Sequence, residues 1–431
     1  MTTTDDIFLT TTDDIFLRLV ALGLGNEVGF PLPVVVAAAE GNSDGRATTD
    51  DRPGATFDWQ AVIDQAMACG LDAVAWDGLQ ALYEQQPALH DRQPEEANDR
   101  QQQPAPATAP DDSQPAQHDP QQPLAATLDA SLGETKFDWF GLVLQAEQDY
   151  DAYCRTLRDL AAFYNGAGLP VMVLKGYGLS LNYPVPRHRP TGDIDIYFFG
   201  RWKEADRLLE AQLGIRADST RQHHHSVFSY GGRSVENHYD LINVHSRPSN
   251  RRLEPLLKEL AGRSPRECEI DGARILLPCA DFNALFLLRH AAGHFASVDI
   301  NLRHVLDWLL FVRAHGSEVD WVWLYGVLER ENMARFANSL NAIGVRYLGF
   351  EPSLFPAVEQ DQALVDRILG EILHPAYQDK EDGTVFHSLW VKLSRWWTNR
   401  WKYRLCYADS LAASFLHSLF AKVLKPRTFI H

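Results

Sequence analysis

Two aspartates one residue apart, in Gly192-Asp193-Ile194-Asp195-Ile196, are the residues of this chain best placed by type and spacing to do chemistry. They lead a run of β-formers. Side chains alternate faces along a strand, so Asp193 and Asp195 share one face while Ile194 and Ile196 turn to a core. Two like charges so close repel unless a counter-charge offsets them. A divalent cation does this, since Mg2+ commonly binds through one or two carboxylates together with substrate phosphates. The pattern alone also describes a strand edge with two solvated aspartates, and the flanking residues favour the cation.

Upstream, Leu169 to Gly176 reads as a short buried strand ending in Lys175 and Gly176, with a helical stretch from Tyr177 to Asn182. A glycine at such a turn lets backbone approach a ligand closely, and a helix N-terminus offers unpaired N–H groups to an anion. Lys175 adds a point charge for a phosphate. The loop Tyr183 to Pro190 is stiffened by Pro184 and Pro186 and carries Arg187 and Arg189 toward phosphate oxygens beside the acids. Downstream, Trp202 to Leu213 has helical spacing, with Gly214 as its stop. Ser226–Tyr230 and Ser234–Tyr239, joined by Gly231-Gly232, read as a β-hairpin. Its second strand puts Glu236 and His238 on one face, so Glu236 is available as a third carboxylate.

This order of strand, K-G turn, helix, basic loop, D-x-D strand, helix and acid-bearing hairpin resembles the nucleotidyltransferase superfamily. Its members carry a glycine-turn motif, a D-x-D strand and a third acid on a later strand. Within it, the chain is similar to a bacterial branch marked by L-K-G, Y-P-x-P-x-x-R and G-D-I-D, here Leu174-Lys175-Gly176, Tyr183 to Arg189 and Gly192 to Asp195. The resemblance implies an α+β fold, a mixed sheet flanked by helices, with an N-terminal helical segment and a C-terminal helical domain. It also implies Mg2+ (or Mn2+)-dependent transfer of a nucleotidyl group from an NTP such as ATP to a hydroxyl-bearing acceptor, with release of pyrophosphate. In that reading Asp193, Asp195 and Glu236 are the catalytic, metal-holding acids. Lys175, Gly176, Arg187, Arg189 and Gly192 then contact the nucleotide. In-line displacement at phosphorus needs positioning and charge neutralisation more than covalent help. Lys175-Gly176 stands where the superfamily carries a glycine–serine pair. That departure is the main support for an alternative, a non-catalytic module of the same fold that holds a nucleotide or a partner. A phosphohydrolase on the same carboxylates would want further His or Asp ligands.

The elements that must position these residues fall into four segments. Residues 1–83 read as an N-terminal helical segment, with helical periodicity from Phe57 to Tyr83. Residues 84–130 are rich in Gln, Pro, Asp and Ala and read as a disordered acidic insert. Residues 131–278 hold the catalytic domain with its leading helix, which runs from Phe137 to about Tyr164. Residues 279–431 form a helical domain, introduced by a short strand at Ile275–Pro278 and including helices over Asp281–Phe295 and Ile300–His315. Thr2–Leu9 recurs unchanged as Thr10–Leu17, too short a unit for a repeat fold. Asp14 is a candidate cap for the helix that follows.

Composition limits the partners. The net charge is −17, but the first 130 residues hold 22 acids and 5 bases while the rest hold 35 of each. The acidity therefore belongs to the N-terminal third, and no stable nucleic-acid partner is expected there. The longest apolar run, Val28 to Ala39, is short and broken by Pro31 and Pro33, so no transmembrane segment is expected. No basic leader precedes it, and the five cysteines are scattered without C-x-x-C spacing. Together these suggest reduced thiols in the cytoplasm.

Other motifs have plainer readings. His290 and His294 stand at i, i+4, a spacing that permits a shared metal, but no third ligand is evident and a packed histidine is commoner. Arg303 and Asp307, at the same spacing, are expected to pair. Their segment, Leu302 to Trp308, resembles the family's helical R-x-x-x-D-W motif and reads as structural or substrate-facing. Trp396, Trp397 and Trp401 lie among Lys392, Arg395, Arg400, Lys402 and Arg404. They read better as core-packed tryptophans with a solvated basic face than as a membrane or nucleic-acid surface. His223-His224-His225 fits either the cleft or a surface loop.

Overall fold

Six strands form one mixed sheet: β1 (Met172–Val173), β2 (Ile194–Tyr197), β3 (His225–Tyr230), β4 (Arg233–His238), β5 (Arg266–Ile270) and β6 (Ala273–Leu277). Their order is β3-β4-β2-β1-β6-β5. The computed structural model describes residues 10–27, 58–84, 131–220, 224–297, 300–375 and 398–410. The first octapeptide copy, the Val28–Ala39 run, the Gln/Pro-rich insert from residue 85, His223, Lys392, Arg395, Trp396, Trp397 and an amphipathic stretch over Leu411–Leu424 lie outside the described residues.

The helices described are α1 (Thr11–Gly23), α2 (Trp59–Cys69), α3 (Asp72–Glu84), α4 (Thr135–Gly166), α5 (Tyr177–Ser180), α6 (Trp202–Leu213), α7 (Pro248–Gly262), α8 (Ala280–Ser297), α9 (Leu302–His315), α10 (Trp321–Arg330), α11 (Ala334–Tyr347), α12 (Gln362–Leu373) and α13 (Arg400–Cys406). A mixed sheet flanked by helices is the expected architecture.

The alternation expected around the acids holds. Ile194, Ile196 and Phe198 join Val171 and Val173 in a core under Tyr153, Leu157, Leu160 and Tyr164 of α4. Met172, Leu174 and Tyr197 turn to the opposite face, where they pack in the larger core that includes α8 and α9. Asp195 shares that second face by parity. The sheet is parallel between β2 and β4, with Asp195 opposite Glu236 and Ile194 opposite Val235. β1 runs antiparallel to β2 and parallel to β6.

Several local expectations change. β1 is two residues long, and the helix after Gly176 is a single turn, Tyr177–Ser180, not a stretch to Asn182. Periodicity over 57–83 resolves into α2 and α3, separated at Gly70, which takes the left-handed conformation that ends a helix. α1 is capped by Thr10, not Asp14. The Thr10 side chain accepts from the Asp13 N–H, and the Asp13 carboxylate accepts from the Thr10 N–H. Asp14 instead pairs with Arg18. The strand expected at Ile275–Pro278 is β6, and the structure adds β5 as its hairpin partner through the Asp271-Gly272 turn, whose two positive φ angles are a strong hairpin signal. Among the described C-terminal residues, Trp401 lies edge-on to Phe295 under the Arg367 guanidinium, and buried Lys402 pairs with Glu371 at 2.7 Å. No described helix is long and apolar enough to cross a membrane.

The basic loop is tied down at both ends. At its 3-10 turn, Pro186–His188, the buried His188 ring bridges Asp77 of α3 (2.7 Å) and Glu147 of α4 (3.4 Å). Burial alone would lower its pKa, but the hydrogen bonds and charges of the two carboxylates outweigh burial and raise it. A raised folded-state pKa stabilises fully below the unfolded value of about 6.5, and the contribution is lost as pH rises through the folded value. His188→Gln is therefore expected to lower stability by about 2 kcal/mol at pH 6 and by clearly less at pH 9. Urea unfolding of both proteins at the two pH values checks this, and an equal gap at both would refute it.

Candidate active site

The floor of the site is the sheet face that carries Asp195, and its roof is α8 and α9. A cleft of about 580 Å3 lies between them. It is lined from below by Lys175, Gly176, Gly192, Asp193, Asp195, Glu236 and His238, and from above by residues of α8 and α9.

Gly176 makes the turn from β1 into α5 with φ 50°. A Cβ there would sit 2.0 Å from the Tyr153 hydroxyl, so the position excludes any side chain by space as well as by dihedral angle. Gly176→Ala is expected to destabilise by about 2 kcal/mol. A urea midpoint unchanged from the parent protein would contradict this. Gly192, by contrast, has open space where its Cβ would be.

Asp195 is buried and accepts from two cations. Lys175 Nζ is 3.0 Å away and His238 Nε2 3.1 Å away, both on the same carboxylate oxygen. Burial works to raise the Asp195 carboxyl, but the Lys175 charge and the His238 hydrogen bond hold it well below the usual carboxylate range. His238 also lies 3.5 Å from Glu236. Burial opposes its protonation, yet its bonds to Asp195 and Glu236 raise it to about 9. Lys175 and His238 thus supply the positive charge that two adjacent carboxylates demand. His225 lies 3.3 Å from the other oxygen of Glu236, and burial pushes it down to about 4. His224 is pushed well below the ordinary histidine value, chiefly by burial and then by the two neighbouring histidines.

The sequence-predicted residues are not all brought together. Asp195 and Glu236 meet, and with His238 they offer ligand atoms within 4.8 Å of one another. Asp193 lines the same cleft but is exposed and is not part of that group. Arg187, expected at a phosphate, lies instead against α4. It donates to Asp151 at 3.1 Å and sits 3.6 Å from Glu147, and it does not line the cleft. The carboxylates on α4 capture it because its neighbour His188 already anchors the turn there. Arg189 does line the cleft, but its guanidinium is committed. It donates through two nitrogens to Asp307 at 2.8 and 2.9 Å, and both side chains are buried. The expected Arg303–Asp307 pair is therefore replaced. Asp307 is taken by Arg189 and by the Tyr183 hydroxyl at 3.0 Å, and Arg303 Nε has no hydrogen-bond partner among the described residues. Two contributors went unassigned from sequence: His238 as the bridge between the acids, and His304 beside His290 and His294. The parity of β4 pointed to the first. The only trace of the second was its place in Leu302 to Trp308.

The donor set fits a divalent cation of the kind the D-x-D strand suggests. Two carboxylates converge, and carboxylate oxygen is the preferred ligand of Mg2+ and Mn2+, while protonated His238 stands beside them as a counter-charge and not as a ligand.

A short central strand carrying a K-G turn, a D-x-D strand and an acid on the parallel neighbour define a nucleotidyltransferase-like α+β protein with a mixed sheet. The family model described as uncharacterised nucleotidyltransferase matches residues 121–344, just over half of the chain. The chain belongs to that family. No curated protein matches it significantly. Two solved structures are similar in part. One is the antibiotic-resistance factor ANT(2'')-Ia, at 17% identity over 41% of this chain and 92% of that one, with a TM-score of 0.31. The other is an antigenic nucleotidyltransferase-like protein from Paracoccidioides brasiliensis, at 15% identity over 42% of this chain and 87% of that one, with a TM-score of 0.29.

Proposed function

We propose that the protein is a metal-dependent nucleotidyltransferase that moves an NMP group from an NTP to a hydroxyl-bearing acceptor. The observation that carries this is the placement of Asp195 opposite Glu236 on parallel neighbours, at the floor of a cleft with Lys175 on Asp195. Asp193, Asp195 and Glu236 would hold Mg2+ or Mn2+, which when bound neutralises triphosphate charge and lowers the acceptor hydroxyl's pKa. Lys175 is placed to exchange its contact with Asp195 for a phosphate oxygen. Glu236, partly exposed to the cleft, is the acid best placed to take the acceptor proton. Gly176 and Gly192 let backbone lie close to the nucleotide. Arg189 acts by holding the loop that leads to Asp193, and Arg303 takes over the phosphate contact that sequence gave to Arg187 and Arg189. The five cysteines are all free, which suits a reducing cytoplasmic setting.

One observation favours a second reading, a non-catalytic nucleotide-binding module: Asp193 stands outside the Asp195–Glu236–His238 group. Incubation with each α-labelled NTP, Mg2+ or Mn2+ and cell extract separates the two. Label transferred to an acceptor, and lost without metal, supports the enzyme. Nucleotide binding without transfer to any acceptor supports the module.

A further inference from the structure

The roof of the cleft carries a second cluster that the acids do not use. His290 and His294 stand one turn apart on α8, and His304 faces them from α9. Their ring centroids are 4.5, 4.9 and 5.6 Å apart, and each offers a nitrogen within 4.8 Å of the other two. All three line the cleft. Asn301, at the start of α9, meets His304 Nδ1 with its side-chain oxygen at 2.7 Å and with its backbone N–H at 3.4 Å. The shorter contact assigns the proton to Nδ1, which donates it to the Asn301 oxygen; with that assignment the ring is held and Nε2 keeps its lone pair, the arrangement by which an outer residue orients a metal-ligating histidine. Burial is the main reason all three rings stay neutral, with His294 pushed down to about 4 and His304 to about 3.

We propose that His290, His294 and His304 form a Zn2+ site in the roof of the cleft, with its fourth position open to an anionic oxygen of a bound ligand. Three imidazoles and an open position suit zinc, whereas Mg2+ prefers oxygen ligands, so this site differs in kind from the acid group below. Three neutral ligands leave the ion's two positive charges uncompensated. The Lys175 and Arg303 charges both act on His290 and His294, and Arg303 Nε has no hydrogen-bond partner among the described residues. The surplus charge selects an anion, a phosphate or carboxylate oxygen, for the fourth position. The zinc site stands on its own geometry. That the bound anion belongs to a substrate rests on the proposed transfer reaction.

The test uses the full chain and the metal alone. Zinc content after dialysis, together with the visible absorption of the Co2+-substituted protein, is measured for the parent, His294→Ala, His304→Ala, His225→Ala and Asp195→Asn. The proposal expects one zinc per chain in the parent and a tetrahedral Co2+ spectrum that shifts on adding inorganic phosphate or acetate. It expects affinity reduced on the order of 100-fold in His294→Ala and His304→Ala, with His225→Ala and Asp195→Asn within a few-fold of the parent. Circular dichroism checks folding, and His294→Gln and His304→Gln replace any alanine variant that unfolds. No zinc retained by the parent at micromolar free metal overturns the proposal. So does loss of zinc in His225→Ala or Asp195→Asn with retention in the α8–α9 variants, since that places the ion at the sheet. Zinc bound as expected, without nucleotidyl transfer, removes the proposed reaction and leaves the site.

Discussion

Asp195→Asn is expected to lower nucleotidyl transfer on the order of 10³-fold or more while the protein stays folded. Asparagine keeps the shape of the side chain and removes its charge. The oxygen that now accepts from Lys175 and His238 at 3.0 and 3.1 Å becomes a neutral amide oxygen, a poor ligand for a divalent cation. Losses of this size follow when one preorganised electrostatic group is removed from a water-poor site. His238 limits the structural cost. Its high pKa depends on Asp195 and Glu236, so in the variant it can shed its proton and spare the site a buried, unpaired charge. Labelled-NMP transfer at saturating NTP measures the effect, and circular dichroism and urea unfolding report the fold. Activity within tenfold of the parent would remove Asp195 from the proposed metal ligands.

Asp307→Asn is expected to be the most destabilising single change at the site, by about 3–5 kcal/mol. Asp307 receives both nitrogens of Arg189 and the Tyr183 hydroxyl, and Arg189 and Asp307 are each 6% exposed. Removing the charge leaves Arg189 buried without a counter-ion, beside Arg303, whose own pKa burial already lowers. Replacing both members of the pair with apolar residues, Arg189→Met with Asp307→Leu, is expected to cost less than Asp307→Asn alone, because no charge is left stranded. Urea unfolding of the parent and the two variants decides it. A single-variant loss under about 1 kcal/mol would show that the pair is solvated in solution.

The parts of this site that depend on short-range pattern were legible in the sequence. Strand parity placed Asp195 on the face opposite its apolar neighbours and Glu236 and His238 on one face of β4, and the Gly231-Gly232 turn marked the hairpin. α6 ends at Gly214 in the left-handed conformation, as its composition implied. What stayed hidden depends on chain segments far apart. Arg189 and Asp307 are 118 residues apart, and nothing local says that Arg189 will outcompete Arg303 for the same carboxylate. Arg187 and Arg189 read alike in sequence, yet one lies on α4 and the other under α9, because a 3-10 turn rotates them apart. His304 joined His290 and His294 only once two helices folded face to face. The Asp271-Gly272 turn differs in kind, since its signal lies wholly within the local sequence.

The clasp between Arg189 and Asp307 has a mechanical consequence. One half sits on the loop that runs within four residues to Asp193, and the other sits on α9, one turn from His304. Floor and roof are therefore riveted at one edge. A ligand that shifts α9 pulls on the same backbone that carries the first aspartate. If occupancy of the roof changes the floor's affinity, reciprocity makes occupancy of the floor change the roof's by the same factor. The clasp thus ties the loop that leads to Asp193 to the helix that carries His304.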